Sequence, residues 1–404
     1  LHMTKEKMEH IVVMLPPLAE QHRIVAKVDQ LMLLCDELER RQKARREGSA
    51  RLRGSMLDAL ASANAADDVA TEWNRVRENF HLLFDLPESV AELRRTVLQL
   101  AVRGKLVPQD ENDEPADALL RKIESQQMDL VKRGLSRKKA ITVEIPPKEL
   151  DIPTSWVSTR LGSVLVFGPT NGYSPKSVEW ETSVKSLTLT ATTSGQFNSQ
   201  HFKYIDETIP QDSSLWLCEG DILVQRGNSM EYVGVAAVYH GRPHEYIYPD
   251  LMMKMRVSDL LNVDFIHLLL NSNLVRGFLR SQATGTSGSM PKINQSTVAN
   301  APIPLPPLAE QHRIVAKVDQ LMAICDNLEE KLKRVHANGE RMMEAIVSGM
   351  AGRASAGNDN GIVSVLDAGD LFGNVPSAQQ PIVKKKKRDG GSAKRNPVEE
   401  QLPF

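Results

Sequence analysis

A chain of 404 residues exceeds one ordinary compact domain, and 41% hydrophobic against 25% charged residues let most of it bury a core. The formal net charge of -1 excludes a global pull on nucleic acid, so contact with a polyanion has to come from local charge placement. Cys35, Cys218 and Cys325 lie far apart, which excludes a disulfide framework or a paired-cysteine metal site and fits a cytoplasmic protein; no stretch reaches the roughly 20 apolar residues of a membrane span.

The first element is set by a repeat. Leu15 to Met32 recurs without change as Leu305 to Met322, an offset of 290 positions. Pro16-Pro17 and Pro306-Pro307 favour an extended approach and a helix opening just after them. Glu20 and Glu310 then fall in a first turn, where the positive helix end stabilises them. Ile24, Val28, Leu31, Cys35 and Leu38 are spaced four, three, four, three, and Ile314, Val318, Leu321, Cys325 and Leu328 repeat that spacing. This is an a/d seam, and two copies of one seam predict that the stripes pair with each other. Both cysteines are then small core residues rather than reactive thiols. An ordinary amphipathic bundle helix is the other reading of either stripe taken alone. His22 and His312 sit in the duplicated helix starts, where packing or capping explains them better than catalysis.

Residues 16–63 form the first long helix, and 64–150 read as a helical linker region. Leu93 to Val107 is amphipathic and stops near Gly104 and Pro108. Asp110 to Pro115 is an acidic loop, and Ala116 to Arg133 a further helix. Pro146-Pro147 and Pro153 mark a boundary.

Residues 151–305 read as a mixed domain. Leu161–Phe167, Val184–Thr190, Asp221–Gln225 and Val233–Tyr239 have strand composition, and Val263–Arg280 that of a helix. Four polar, Gly-punctuated loops stand out: Tyr173, Ser174 and Lys176; Thr192, Thr193, Ser194 and Gln196; Arg226, Asn228 and Ser229; Thr286, Ser287, Ser289 and Lys292. Each residue alone is as simply a solvated loop position. Together they supply the donors and acceptors that grip phosphates and pair with base edges. Since the domain holds 11 Lys/Arg against 13 Asp/Glu, such a face needs its acidic groups turned away. The second long helix covers 306–350, and 351–404 is a Gly/Ser/Asn-rich tail, expected to be disordered, with a basic run Lys384 to Arg388.

No phosphate-cradling Gly-x4-Gly-Lys-Ser/Thr loop, GxGxxG or HExxH occurs. Asp221 near Arg226 is better explained as a strand-end turn than as a carboxylate site. No catalytic residue and no metal ligand is assigned.

The segment Pro-Pro-Leu-Ala-Glu-Gln-His-Arg-Ile-Val at both ends of a mixed domain resembles the specificity subunits of type I restriction-modification systems. Leu93 to Asp110, Ile152 to Trp156, Gly220 to Arg226 and Thr284 to Gln295 carry the same likeness, which covers roughly residues 1 to 350. The resemblance implies an α+β fold with a target-recognition domain flanked by two long helices paired as an antiparallel coiled coil. It implies a non-catalytic subunit that reads part of a bipartite target in double-stranded DNA. Its partners would be modification subunits, which methylate adenine with S-adenosylmethionine, and restriction subunits using ATP and Mg; no cofactor belongs to this chain. Residues 1–15 then correspond to the end of a first recognition domain. A truncated, inactive gene product or a natural half-subunit that pairs as a homodimer is expected on that count. A helical scaffold or adaptor that does not touch DNA is the alternative.

Overall fold

The computed structural model describes residues 15–63, 66–134, 150–285 and 290–355. Expectations for residues 1–14, for Thr286, Ser287 and Ser289, and for the tail from 356 onward lie outside the described residues.

The duplicated sequence folds locally in the same way twice. Helix α1 (Leu18–Ser62) follows an extended Pro17, with Glu20 in its first turn, and the Gln21 side-chain amide donates to the Pro16 carbonyl at 2.7 Å. At the other end of the chain the long helix Leu308–Ser355 begins with Gln311 donating to the Pro306 carbonyl at 3.0 Å. Identical residues therefore produce identical helix starts.

Between them run α2 (Ala66–Glu78), the short α3 (Phe80–Leu83), α4 (Val90–Ala101) and α5 (Ala116–Lys132). Among the described residues the mixed domain has ten strands. β1 (Val157–Arg160) pairs antiparallel with β10 (Pro302–Leu305), so the two ends of the domain close on each other. One antiparallel sheet has the order β2 (Leu165–Asn171), β9 (Met252–Val257), β6 (Ile222–Gln225), β7 (Ala236–Val238). The other has the order β3 (Ser177–Val178), β5 (Phe202–Ile205), β4 (Val184–Leu187), β8 (Tyr246–Ile247), with β4 and β8 parallel. Leu187, Leu217, Leu223, Tyr239, Tyr246, Tyr248 and Met252 form a buried cluster beside the main core.

The helix expected over Val263–Arg280 is two helices, α6 (Val263–Asn271) and α7 (Asn273–Ser281). The break falls at Ser272, whose hydroxyl accepts from the Val275 N–H and so caps a new helix start. A short α8 (Gln295–Ala299) precedes β10, and α9 (Leu308–Ser355) is the last helix among the described residues. No helix among the described residues is long and apolar enough to cross a membrane.

The mixed α+β class with two long helices is what the structure has, but the two stripes do not zip together. Ile314, Val318, Leu321 and Cys325 are buried, with Leu328 packed against the same core. Ile24, Val28 and Leu38 are 48%, 50% and 45% exposed, Leu31 is half-buried and Cys35 is exposed, so Cys35 is not a core residue. The stretch from Asp85 to Gln109, built around α4, lies between the helices. Arg45 and His336 both reach Asp85, at 3.8 and 3.3 Å. Farther along, Arg53 binds Glu92, while Arg94 binds Asp326 and Glu329. Last, Arg103 donates to the Ala61 carbonyl and Gln109 to Glu310. Residue numbers thus rise along α1 and fall along α9, so the helices are antiparallel with α4 packed against both. The spacing of apolar residues specified an apolar stripe on each helix but not which of the two a neighbouring element covers: only the α9 stripe is buried.

Candidate nucleic-acid interface

α9 is fastened to the mixed domain through its first two turns. Buried Glu310 accepts from the Trp156 indole N–H at 3.0 Å and from Gln109 at 2.7 Å. The Gln311 side-chain oxygen Oε1 accepts from the Asn262 N–H at 3.0 Å, and Arg313 pairs with Asp113. Trp156 packs edge-on to Phe265, with ring centroids 6.3 Å apart. Burial pushes the Glu310 carboxyl above the usual carboxylate range, against the pull of its two donors. These contacts set the attitude of the mixed domain on the helical frame.

Three of the four polar loops meet on one rim of the β2-β9-β6-β7 sheet. After β2 the chain crosses close over Tyr248 and Pro249: a Cβ at Gly172 would lie 2.1 Å from the Tyr248 carbonyl oxygen, so only glycine fits there. Tyr173 N–H donates to that carbonyl at 2.9 Å, its hydroxyl donates to Glu207, and Ser174 bonds Asp250. Glu207 pushes the Tyr173 phenol up. Asp250 also leads to the next loop, because its carbonyl accepts from Arg226 at 3.4 Å. Arg226 N–H donates to Leu251 O at 2.8 Å, and Ile293 N–H to Arg226 O at 2.9 Å. Thr284 and Lys292 exchange backbone hydrogen bonds of 2.8 and 2.9 Å, and Asn228 N–H donates to Pro291 O. Lys176, Ser229 and Lys292 are exposed on this rim, and Arg226 and Asn228 are half-buried.

The loop carrying Thr192, Thr193 and Gln196 differs. Thr192 is buried, and both threonine hydroxyls donate to the Leu189 carbonyl and accept from the Gln225 amide. Thr192 is therefore a correction: it braces the rim from inside. Gln196 and Ser194 remain exposed. Asp221 is buried and pairs with Arg256 and Lys254, not with Arg226.

Sequence reasoning placed a helix here but gave no role to the arginines of α7. Arg276 and Arg280 both donate to the Glu231 carbonyl, at 2.6 and 2.9 Å, in the loop that continues from Ser229. Arg276 is buried, and burial together with Arg280 lowers its guanidinium to about 10; Arg280 is exposed. Their i,i+4 spacing, each directly after an apolar residue (Val275 and Leu279), was the available signal. Among the described residues there is no group of His, Cys, Asp and Glu able to hold a metal ion.

Comparison with known proteins adds the family. A family model described as type I restriction modification DNA specificity domain matches residues 1–45 and 153–335. The EcoEI specificity subunit of Escherichia coli is 30% identical over 347 residues, covering 84% of this chain and 58% of the relative. The EcoAI specificity subunit of Escherichia coli is 32% identical over 345 residues, 82% of this chain and 56% of the relative. The HsdS subunit crystal structure from Thermoanaerobacter tengcongensis aligns with 22% identity and a TM-score of 0.35, over 55% of this chain and 53% of that one. The chain thus spans less than two thirds of the length of these relatives. With the family model matching more than half of its residues, the chain belongs to the type I restriction modification DNA specificity domain family.

Proposed function

We propose that this chain reads one part of a double-stranded DNA target and holds the reader on a helical frame to which modification and restriction subunits bind. The observation that carries the proposal is the convergence of 171–176, 226–229, 284–285 and 290–292 on one rim, with Lys176, Arg226, Asn228, Ser229 and Lys292 in it. Arg and Lys there supply phosphate grip and guanine recognition, and the amide supplies base pairing. Rim acids are held by neighbours: Asp250 by Ser174 and Glu207 by Tyr173.

The chain contributes no catalytic group in this reading. Adenine methylation with S-adenosylmethionine belongs to the modification subunits, and ATP- and Mg-dependent translocation and cleavage to the restriction subunits, with the whole assembly in the cytoplasm. The exposed stripe on α1 supports a homodimer as the form in which one recognition domain serves a two-part target.

The test is genomic adenine methylation in cells carrying the modification subunit with and without this chain. A new methylated motif that appears only with the chain is expected. Unchanged methylation, with the chain co-purifying with the modification subunit, would leave the scaffold reading instead.

A further inference from the structure

We infer that Asn228 selects adenine, and that buried Gln225 sets its orientation; this rests on the DNA-reading function proposed above. The inference comes from a chain of hydrogen bonds whose two ends each have only one possible role. At one end is the Leu189 carbonyl, which can only accept. It takes bonds from the hydroxyls of Thr192 and Thr193 and from Gln225 Nε2 at 3.0 Å. The Gln225 nitrogen must therefore face Leu189, and Nε2 also donates to the Thr192 hydroxyl at 3.0 Å. Gln225 Oε1 is left facing outward, where it accepts from Asn228 Nδ2 at 2.6 Å. At the other end the Ser229 backbone N–H, which can only donate, bonds Asn228 Oδ1 at 2.8 Å. Both amides are thus oriented by their neighbours without ambiguity.

Gln225 is fully buried and has no group to spare; Asn228 is half-buried in the rim between Arg226 and the loop ending at Lys292. After its two internal bonds Asn228 keeps one Nδ2 hydrogen and one Oδ1 lone pair. A donor beside an acceptor matches the N7 acceptor and N6 donor of adenine in the major groove. Guanine, with two acceptors on that edge, satisfies only half of the amide. Gln225 acts at a distance from the base and is a positioning residue. Its bonds also explain why Thr192 and Thr193 are engaged beneath the rim.

The experiment is selection from a random duplex library by the full chain assembled with its modification subunit, comparing wild type, Asn228→Asp and Gln225→Glu. Wild type is expected to select a motif containing adenine at the position Asn228 reads. Asn228→Asp offers two acceptors, so preference there moves from adenine toward cytosine by roughly ten- to a hundredfold, with the other positions kept. Gln225→Glu cannot donate to Leu189 and is expected to relax that same position alone. If wild type selects no motif, the DNA-reading function fails and this inference with it. A wild-type motif that Asn228→Asp leaves unchanged, or weakens evenly at every position, overturns the role of Asn228. A Gln225→Glu profile identical to wild type overturns the relay while leaving Asn228 as the reader.

Discussion

Arg226 occupies a half-buried position whose backbone is fixed on both sides, by Leu251 and Ile293, while its guanidinium makes one long bond to a carbonyl. Fixed backbone with a lightly held head suits a side chain that has to meet a ligand. Arg226→Ala is expected to weaken specific DNA binding by about 1–3 kcal/mol if the head reads a base edge, and to flatten preference at one position. A salt titration separates the two roles: a uniform loss with a shallower salt slope assigns it to phosphate instead. Glu310 poses a different residue-scale question, since its carboxyl is buried beneath Trp156 and Gln109. Its raised pKa means that its stabilising contribution is fully present below the ordinary Glu value of about 4 and is lost as pH rises through the raised value. Glu310→Gln keeps an acceptor for the Trp156 indole and removes the buried charge. The variant is therefore expected to gain stability relative to wild type as pH rises from 4 to 7, read from urea midpoints at the two values. A difference that does not change with pH would mean the carboxyl titrates normally.

At the scale of elements, the two copies of one stripe form a matched pair that the molecule itself supplies. Ile24 and Ile314 sit in identical sequence, yet the first is 48% exposed and the second 0%. Ile314→Ala is expected to cost about 2–5 kcal/mol through lost burial and a cavity, and Ile24→Ala under about 0.5 kcal/mol in the monomeric chain. Equal losses would mean that the first stripe is covered in solution. The pair also shows what the sequence could and could not convey. Helix starts were legible because Pro-Pro, an acidic first turn and a 3.5-residue period act locally, and both copies obey them. Covering partners were not, because α4 presents its own apolar ridge, Val90, Leu93, Val97 and Leu100, between helices that match each other equally well on paper. β9 escaped notice since Met252–Val257 interleaves Lys254 and Arg256, cations that the fold engages with Trp216 O and Asp221. The rim loops were visible as polar, Gly-marked stretches. Thr192 was misplaced among them because a threonine that braces and one that reads look the same in sequence.

At the scale of the whole molecule, the stretch from Asp85 to Gln109 covers only part of each long helix. From Arg45 back to Leu18, α1 projects past Asp85 for about 40 Å, and α9 projects past it beyond His336. Both projections carry apolar residues in solvent: Leu18, Ile24, Val25, Val28, Met32 and Leu33 on one, Met342, Met343, Ile346 and Val347 on the other. Contiguous apolar surface of this kind marks an interaction site on soluble proteins. A two-fold axis at these ends would let each α1 stripe meet its counterpart in antiparallel register and carry two recognition domains to opposite ends of one rod. The full chain is therefore expected to sediment as a dimer at micromolar concentration, and Ile24→Asp with Val28→Asp to shift it to monomer. Because both residues lie in solvent in the single chain, the double variant should keep its helical content and its unfolding midpoint. A chain that is monomeric before substitution, alone and with the modification subunit, would assign the stripe to a different covering surface and leave one recognition domain per assembly.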